Sequence, residues 1–127
     1  MNGLHLIADL HDCRCPPGLL LDAPGLEVFC LEACTRHGLT VVGRLFHAFR
    51  DAAEQPAGVT GAVVLAESHL AVHTWPEISC VTLDIYVCNF SGDNSQRAHT
   101  LFAEVIAHFA PARMESKEIK RGQVGNT

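Results

Sequence analysis

Apolar and polar positions alternate along this chain in two rhythms, and the rhythms divide it into elements. His5 to Leu10 is short and apolar, and the polar, proline-containing stretch Asp12 to Pro17 ends it, which predicts a first strand. Leu26, Phe29, Cys30, Ala33 and Cys34 then recur at helical spacing. Gly38 follows where a left-handed terminating residue is wanted, so a first helix is predicted there. Leu39 to Phe49, rich in Val, Leu and Phe, reads as a strand. The polar loop Arg50 to Gly58 separates it from another at Val59 to Ala66. Leu70, Val72 and Thr74 alternate with His69, Ala71 and His73 until the turn Trp75-Pro76-Glu77. The cleanest alternation sets Val81, Leu83, Ile85 and Val87 against Thr82, Asp84, Tyr86 and Cys88. Asp93, Asn94 and Ser95 offer an N-cap for a second helix, marked by Ala98, Leu101, Phe102, Val105, Ile106 and Phe109 and stopped by Pro111. A last strand, Arg113 to Lys120, leads into a polar tail expected to be loose.

Strands predominate, and the two helices follow the first and fifth of them. Each helix needs a sheet face to cover, which predicts a two-layer α+β sandwich, mainly antiparallel, with both helices on one face. If that face carries Val81, Leu83, Ile85 and Val87, then Asp84 and Cys88 lie on the other. By the same alternation His69 and His73 share that open face, which suits a dimer surface with a pocket in it.

Composition narrows the class. The 127 residues suffice for one domain with a real core, and 48% apolar with 18% charged residues is ordinary for a globular chain. Nine Lys and Arg against fourteen Asp and Glu give a net charge of −5 with no basic cluster, which argues against nucleic acid as a partner. Asp9, His11 and Asp12 interrupt the first apolar run before a signal-peptide core could form, and no stretch is long enough to cross a bilayer. A cytoplasmic protein without a membrane partner is expected. In that setting the six cysteines are expected to be reduced, with Cys30 and Cys34 serving as small core residues. A metal-binding module is the reading those cysteines and the eight histidines could otherwise support. Cys13-x-Cys15 is too tight for the common zinc pair, and no second pair follows at suitable spacing, so no metal is predicted.

One segment is not generic. Glu67-Ser68-His69 is followed by His73-Thr74-Trp75-Pro76-Glu77, and Cys88 lies twenty residues after Ser68. Phe46-His47-Ala48-Phe49 and His5-Leu6-Ile7-Ala8-Asp9 accompany them. Together these stretches resemble the processing-site signature, catalytic-cysteine spacing and flanking strands of prokaryotic S-adenosylmethionine decarboxylases. The similarity covers most of the chain up to the second helix.

The chemistry such residues could perform can be stated from first principles. A decarboxylation leaves electrons that must drain into a conjugated carbonyl, which no ordinary side chain supplies. A serine can generate one by attacking the preceding carbonyl, forming an ester that then eliminates. A base and a hydroxyl near the serine would assist. Histidine suits the first role because its ordinary pKa lies near neutrality.

The resemblance assigns the parts. It implies cleavage between Glu67 and Ser68, giving fragments 1–67 (the β chain) and 68–127 (the α chain) of a single domain. The cofactor would be a pyruvoyl group derived from Ser68, which binds the substrate amine as a Schiff base, with neither metal nor pyridoxal phosphate. His73 would be the processing base, Thr60 the hydroxyl helper where the family more often has serine, and Cys88 the general acid. Glu77 would hold ribose hydroxyls and Phe49 would stack on adenine. Trp75 would form the other side of that stack or anchor an interface. The expected product is decarboxylated S-adenosylmethionine, the aminopropyl donor for spermidine, made by a homodimer whose sheets pair as αββα.

Three departures fall near the expected pocket. The 50–58 loop is longer than usual, Ile78-Ser79-Cys80 replaces a Tyr-Gly-Tyr-like turn, and Asn89 stands where glycine is usual. They bear on the substrate more than on the self-processing, so the same chemistry on a basic amino acid such as ornithine or arginine is the alternative. A non-processing regulatory homologue is a further one, against which Ser68, His73 and Cys88 are all retained.

Overall fold

The structure, a computed structural model, describes residues 2–122; the polar tail expected to be loose lies largely outside them. Six strands form one sheet: β1 (Gly3–Cys13), β2 (Val41–Arg50), β3 (Pro56–Leu65), β4 (Ser68–Trp75), β5 (Cys80–Cys88) and β6 (Pro111–Arg121). Their order across the sheet is β2-β3-β4-β5-β1-β6, and every pairing is antiparallel. Helices α1 (Ala23–Arg36) and α2 (Ser95–Phe109) cover one face, as the alternation predicts.

Helix α1 starts at Asp22, whose Oδ1 accepts the Gly25 N–H at 3.0 Å, with Pro24 in the first turn where its missing donor costs nothing. It ends as Gly38 takes φ +81°, the conformation predicted for it. At the start of α2, Asp93 Oδ1 accepts the Ser95 N–H at 2.9 Å, and Ala110 at φ +48° turns the chain out before Pro111. The core between the layers takes Leu10 from β1, Leu70 and Val72 from β4, Val81, Ile85 and Val87 from β5, and Leu101, Val105 and Phe109 from α2, all fully buried. Each large side chain of this kind stabilises the fold by about 1.5–3 kcal/mol on burial. Cys30 and Cys34 lie in this core, where burial pushes both thiols up to about 12. Their predicted role as small hydrophobes holds, and all six cysteines are unbridged.

Several boundaries differ from the sequence reading. β1 runs to Cys13, past the predicted end at Leu10, because its pairing with β6 (His11 with Arg113, Cys13 with Pro111) is made by backbone groups and does not need apolar side chains. β6 likewise takes in Pro111 to Arg121. β3 begins at Pro56, so the 50–58 loop shrinks to a turn in which Asp51 Oδ1 accepts the N–H groups of Ala53 and Gln55 at 2.8 and 3.0 Å. Among the described residues no helix is long and apolar enough to cross a membrane.

Candidate functional site

Strand β4 carries the segment singled out above, and it separates that segment into two ends. At its start, Leu65 pairs with Ser68, so Ala66 and Glu67 form a two-residue hairpin turn. Glu67 sits at φ +62°, a left-handed conformation that glycine or asparagine normally supplies and that costs another residue of order 1–3 kcal/mol. The Ser91 hydroxyl donates to the Glu67 carboxylate, with oxygens at 2.9 and 3.1 Å. Ser68 is buried, in step with Leu70, Val72 and Thr74 on the covered side. Its Oγ accepts the Cys88 N–H at 3.2 Å. The twenty-residue spacing thus has a structural cause: β4 and β5 are antiparallel, with His69 opposite Tyr86, so the start of one meets the end of the other.

Cys88 is itself buried and held from beyond the strand. Asn94 Nδ2 donates to the Cys88 carbonyl at 3.0 Å, while Asn89 Oδ1 accepts the Asn94 N–H at 2.8 Å and Asn89 Nδ2 donates to Ser95 Oγ at 3.1 Å. Asn89, the departure from glycine, therefore ties the β5–α2 loop together with both ends of its amide. Ser91 was not found by the sequence reading, and Asn94 was named there only as part of a helix N-cap. Only the Asn89 substitution hinted that this loop is fixed by side chains.

At the other end of β4, Thr60 and His73 are cross-strand partners on the open face, and Thr60 Oγ1 lies 3.1 Å from His73 Nδ1. Phe49, Gly58, Thr60, His73, Trp75 and Glu77 line a cleft of about 280 Å³. Gly58 takes φ +141°, and a Cβ there would lie 2.9 Å from the Thr74 carbonyl, so the cleft wall requires glycine. Thr74 Oγ1 donates to the Leu20 carbonyl at 2.7 Å and accepts the Val59 N–H at 2.8 Å, which locks the strand beneath the cleft. The His47 ring meets Phe49 edge-on at 4.6 Å and sets its orientation.

The structure thus brings together Phe49, Thr60, His73, Trp75 and Glu77 at one end, and Glu67, Ser68 and Cys88 at the other. It does not bring the two groups together. His73 and Cys88 do share the open face, as the alternation predicts, but His73 is opposite Thr82, six residues from Cys88. His73 lies five positions beyond Ser68 along an extended strand, roughly 16 Å away.

Between the ends lies a cluster that sequence reasoning passed over, His5, His69 and Asp84, whose nitrogen and oxygen atoms lie within 4.8 Å of one another. The pairings His5–Tyr86–His69 and Ile7–Asp84–Ala71 bring them together from three strands. Burial holds His5 below its ordinary pKa, with Asp84 opposing that shift. The Arg121 guanidinium lies 3.0 Å from His5 Nδ1 and can only donate, which leaves the His5 proton on Nε2, facing Asp84. With its proton there, Nε2 offers no lone pair to a metal ion; it lies 3.8 Å from Asp84 Oδ2, too far for a hydrogen bond, so it stays buried without a hydrogen-bond partner among the described residues.

Comparisons with known proteins agree on what this arrangement resembles. A family model described as S-adenosylmethionine decarboxylase matches residues 4–122. A protein of Syntrophomonas wolfei named S-adenosylmethionine decarboxylase proenzyme is 36% identical over 122 residues, covering 94% of this chain and 86% of its own. One of Acidithiobacillus ferrooxidans with the same name is 38% identical, covering 96% and 84%. The crystal structure of the adenosylmethionine decarboxylase from Aquifex aeolicus superposes with a TM-score of 0.82 at 30% identity, covering 98% of this chain and 94% of that one.

Proposed function

The chain belongs to the S-adenosylmethionine decarboxylase family, and from that membership we infer that it removes the carboxylate of S-adenosylmethionine, the step that supplies an aminopropyl donor for spermidine. We propose further that it first cuts itself between Glu67 and Ser68. Ser68 Oγ attacks the Glu67 carbonyl carbon; the new C–O bond forms, the C–N bond breaks, and the nitrogen takes up the proton that the hydroxyl loses. The Ser68 α-proton then leaves to a base, and the Cβ–O bond breaks with the Glu67 carboxylate as leaving group. The enamine this leaves takes up a proton at Cβ and becomes an imine, which water hydrolyses, releasing ammonia and leaving a pyruvoyl group at position 68. The observation that carries this reading is the meeting of the Glu67–Ser68 turn with the end of β5, where the Cys88 backbone N–H donates to the buried Ser68 hydroxyl. The group forms from Ser68 in place and adds no bulk to that position, so the surroundings fit it.

When formed, the pyruvoyl carbonyl supplies the electron sink for decarboxylation. Cys88 Sγ holds the proton that the substrate carbon must regain once carbon dioxide leaves. His73 serves as the base for elimination, its ring oriented by Thr60. Phe49 and Trp75 offer aromatic surfaces to a flat cationic nucleoside, and Glu77 offers a carboxylate to its hydroxyls. An aromatic and acidic cleft of this kind favours the nucleoside over a bare ornithine or arginine.

A homodimer completes the reading. His73 and Ser68 stand roughly 16 Å apart in one protomer, and the cleft at about 280 Å³ falls just below the usual range of roughly 300–1,000 Å³ for ligand pockets. The open face also leaves Leu45 at 72%, Val64 at 49% and Phe49 at 47% exposed. Two open faces set together about a two-fold axis can lay the Ser68 end of one protomer over the His73 end of the other, an αββα pair with a shared site. Intact mass under denaturing conditions, beside Ser68→Ala, tests the chemistry. Two fragments divided at Glu67–Ser68, the second blocked at its N-terminus, are expected from the wild type. A full-length wild-type chain after prolonged incubation would sink the self-cleavage.

A further inference from the structure

We propose that Ser91 is a positioning residue for self-cleavage, holding the Glu67 side of the scissile bond while the Cys88 N–H holds the Ser68 side. The inference rests on the self-processing reading above. An attack by Ser68 Oγ on the Glu67 carbonyl needs two things fixed: where the oxygen lies and how the Glu67 peptide is rotated. The oxygen is fixed by the Cys88 N–H at 3.2 Å. The peptide belongs to a residue at φ +62° in a two-residue hairpin, while Ala66 keeps an ordinary negative φ. That combination is not one of the hairpin turns that match strand twist, and glutamate has no intrinsic preference for it. Something outside the turn must hold it. The Ala66 N–H is held by the Thr40 carbonyl at 2.9 Å, and the contact that holds Glu67 itself is the Ser91 hydroxyl, which donates between its two carboxylate oxygens at 2.9 and 3.1 Å.

Both holds come from one short stretch. Cys88 ends β5, Ser91 follows three residues later, and the loop between them is braced by the Asn89 and Asn94 amides. The loop therefore acts as a two-point jig across the bond to be broken, with a backbone donor on the nucleophile and a hydroxyl donor on the residue that bears the electrophile. Because the hydroxyl acts through an exposed glutamate side chain and never touches the reacting atoms, its removal is expected to slow cleavage without abolishing it.

The test follows the fraction of cut chain against time in freshly made protein, with turnover measured per cleaved protomer. Ser91→Ala is expected to cut about 5–10-fold more slowly, on the scale of one lost hydrogen bond to a charged group partly screened by solvent. Ser91→Thr, which keeps the hydroxyl, should return to within about twofold of the wild type. Turnover per cleaved protomer should stay unchanged in both, because a group that only positions the uncut bond has finished its work. Glu67→Ala should resemble Ser91→Ala, and the double variant should be no slower than either alone, since both remove one interaction. Wild-type speed in Ser91→Ala overturns the proposal, as does a Ser91→Thr variant as slow as the alanine or a double variant slowed by the product of the two effects. Equal losses in cutting and turnover would make the role general support and overturn it as well. A wild-type chain that never cuts fails the self-processing reading itself, and the inference falls with it.

Discussion

At the Ser68 end of β4 the polar atoms are held by a backbone N–H and by hydroxyl and amide groups from one loop, whereas at the His73 end the side chains line a cleft open to one face. The first end is buried and braced, as a reaction at a peptide bond requires: the reacting atoms must not drift. The second is concave, aromatic and acidic, and it is half-walled. A single strand thus carries, roughly 16 Å apart, the turn at which cleavage is proposed and the cleft in which the substrate is proposed to bind. In the function proposed above, the active site is completed only when the two ends come together from two copies of the chain.

The largest expected effect comes from breaking the two ends in different chains. Ser68→Ala and His73→Ala alone should each leave the protein uncut and inactive. Co-expressed and purified as a mixed dimer, they should regain cutting in one of the two shared sites, together with a substantial fraction of wild-type turnover. Affinity tags on the two chains, followed by intact mass and carbon dioxide release, would read this out. An inactive mixed dimer would mean that the two ends meet within one protomer, against the spacing along β4.

Next come substitutions that should affect the two ends differently. Cys88→Ala is expected to lower kcat by about 10²–10⁴-fold, the usual scale for removing a proton donor, with little change in KM. Glu77→Gln should mainly raise KM, by about 10-fold or more, as expected for a hydrogen bond that loses its charge. Phe49→Leu should raise KM by about 2–10-fold, the size of an aromatic stacking contribution. Neither Glu77→Gln nor Phe49→Leu should alter the fraction of chain cut, and a loss of cutting in either would erase the distinction between the substrate-contacting residues and the self-cleaving ones.

The two ends were not equally legible in the sequence. Glu67, Ser68 and the cleft residues on β4 lie in one continuous run, and the strict alternation of β5 gave the face of Cys88. The helices were located by their apolar stripes, Gly38 and Pro111 included. What the sequence hid was pairing. His5, His69 and Asp84 come from three strands and meet only through the register of β1, β4 and β5. Ser91 belongs to a loop without periodicity, so its contact with Glu67, 24 residues earlier, leaves no local trace. The distance between Ser68 and His73 was implicit in the strand rise, yet a motif read as a unit hides that its members lie along a line.

The smallest expected effect separates activity from stability, and the contrast between the two ends depends on that separation. Acid could weaken the enzyme either by titrating groups on the open face or by loosening the helical layer beneath. His108 on α2 provides a marker for the second route. Its ring stacks on Phe29 of α1 at 3.7 Å, and burial holds its pKa below the ordinary 6.5, with Glu104, one turn earlier, opposing. The folded protein therefore takes up this proton at a lower pH than the unfolded chain does. Its contribution to stability should be level above about 6.5, decline as the pH falls through the window between the unfolded and folded values, and level off below. His108→Phe keeps an aromatic ring against Phe29 and removes the titration, so it should flatten this part of the dependence of Tm on pH without changing the pH profile of turnover. If the variant moved both together, acid would be acting through the core, and pH could no longer distinguish the two ends of β4.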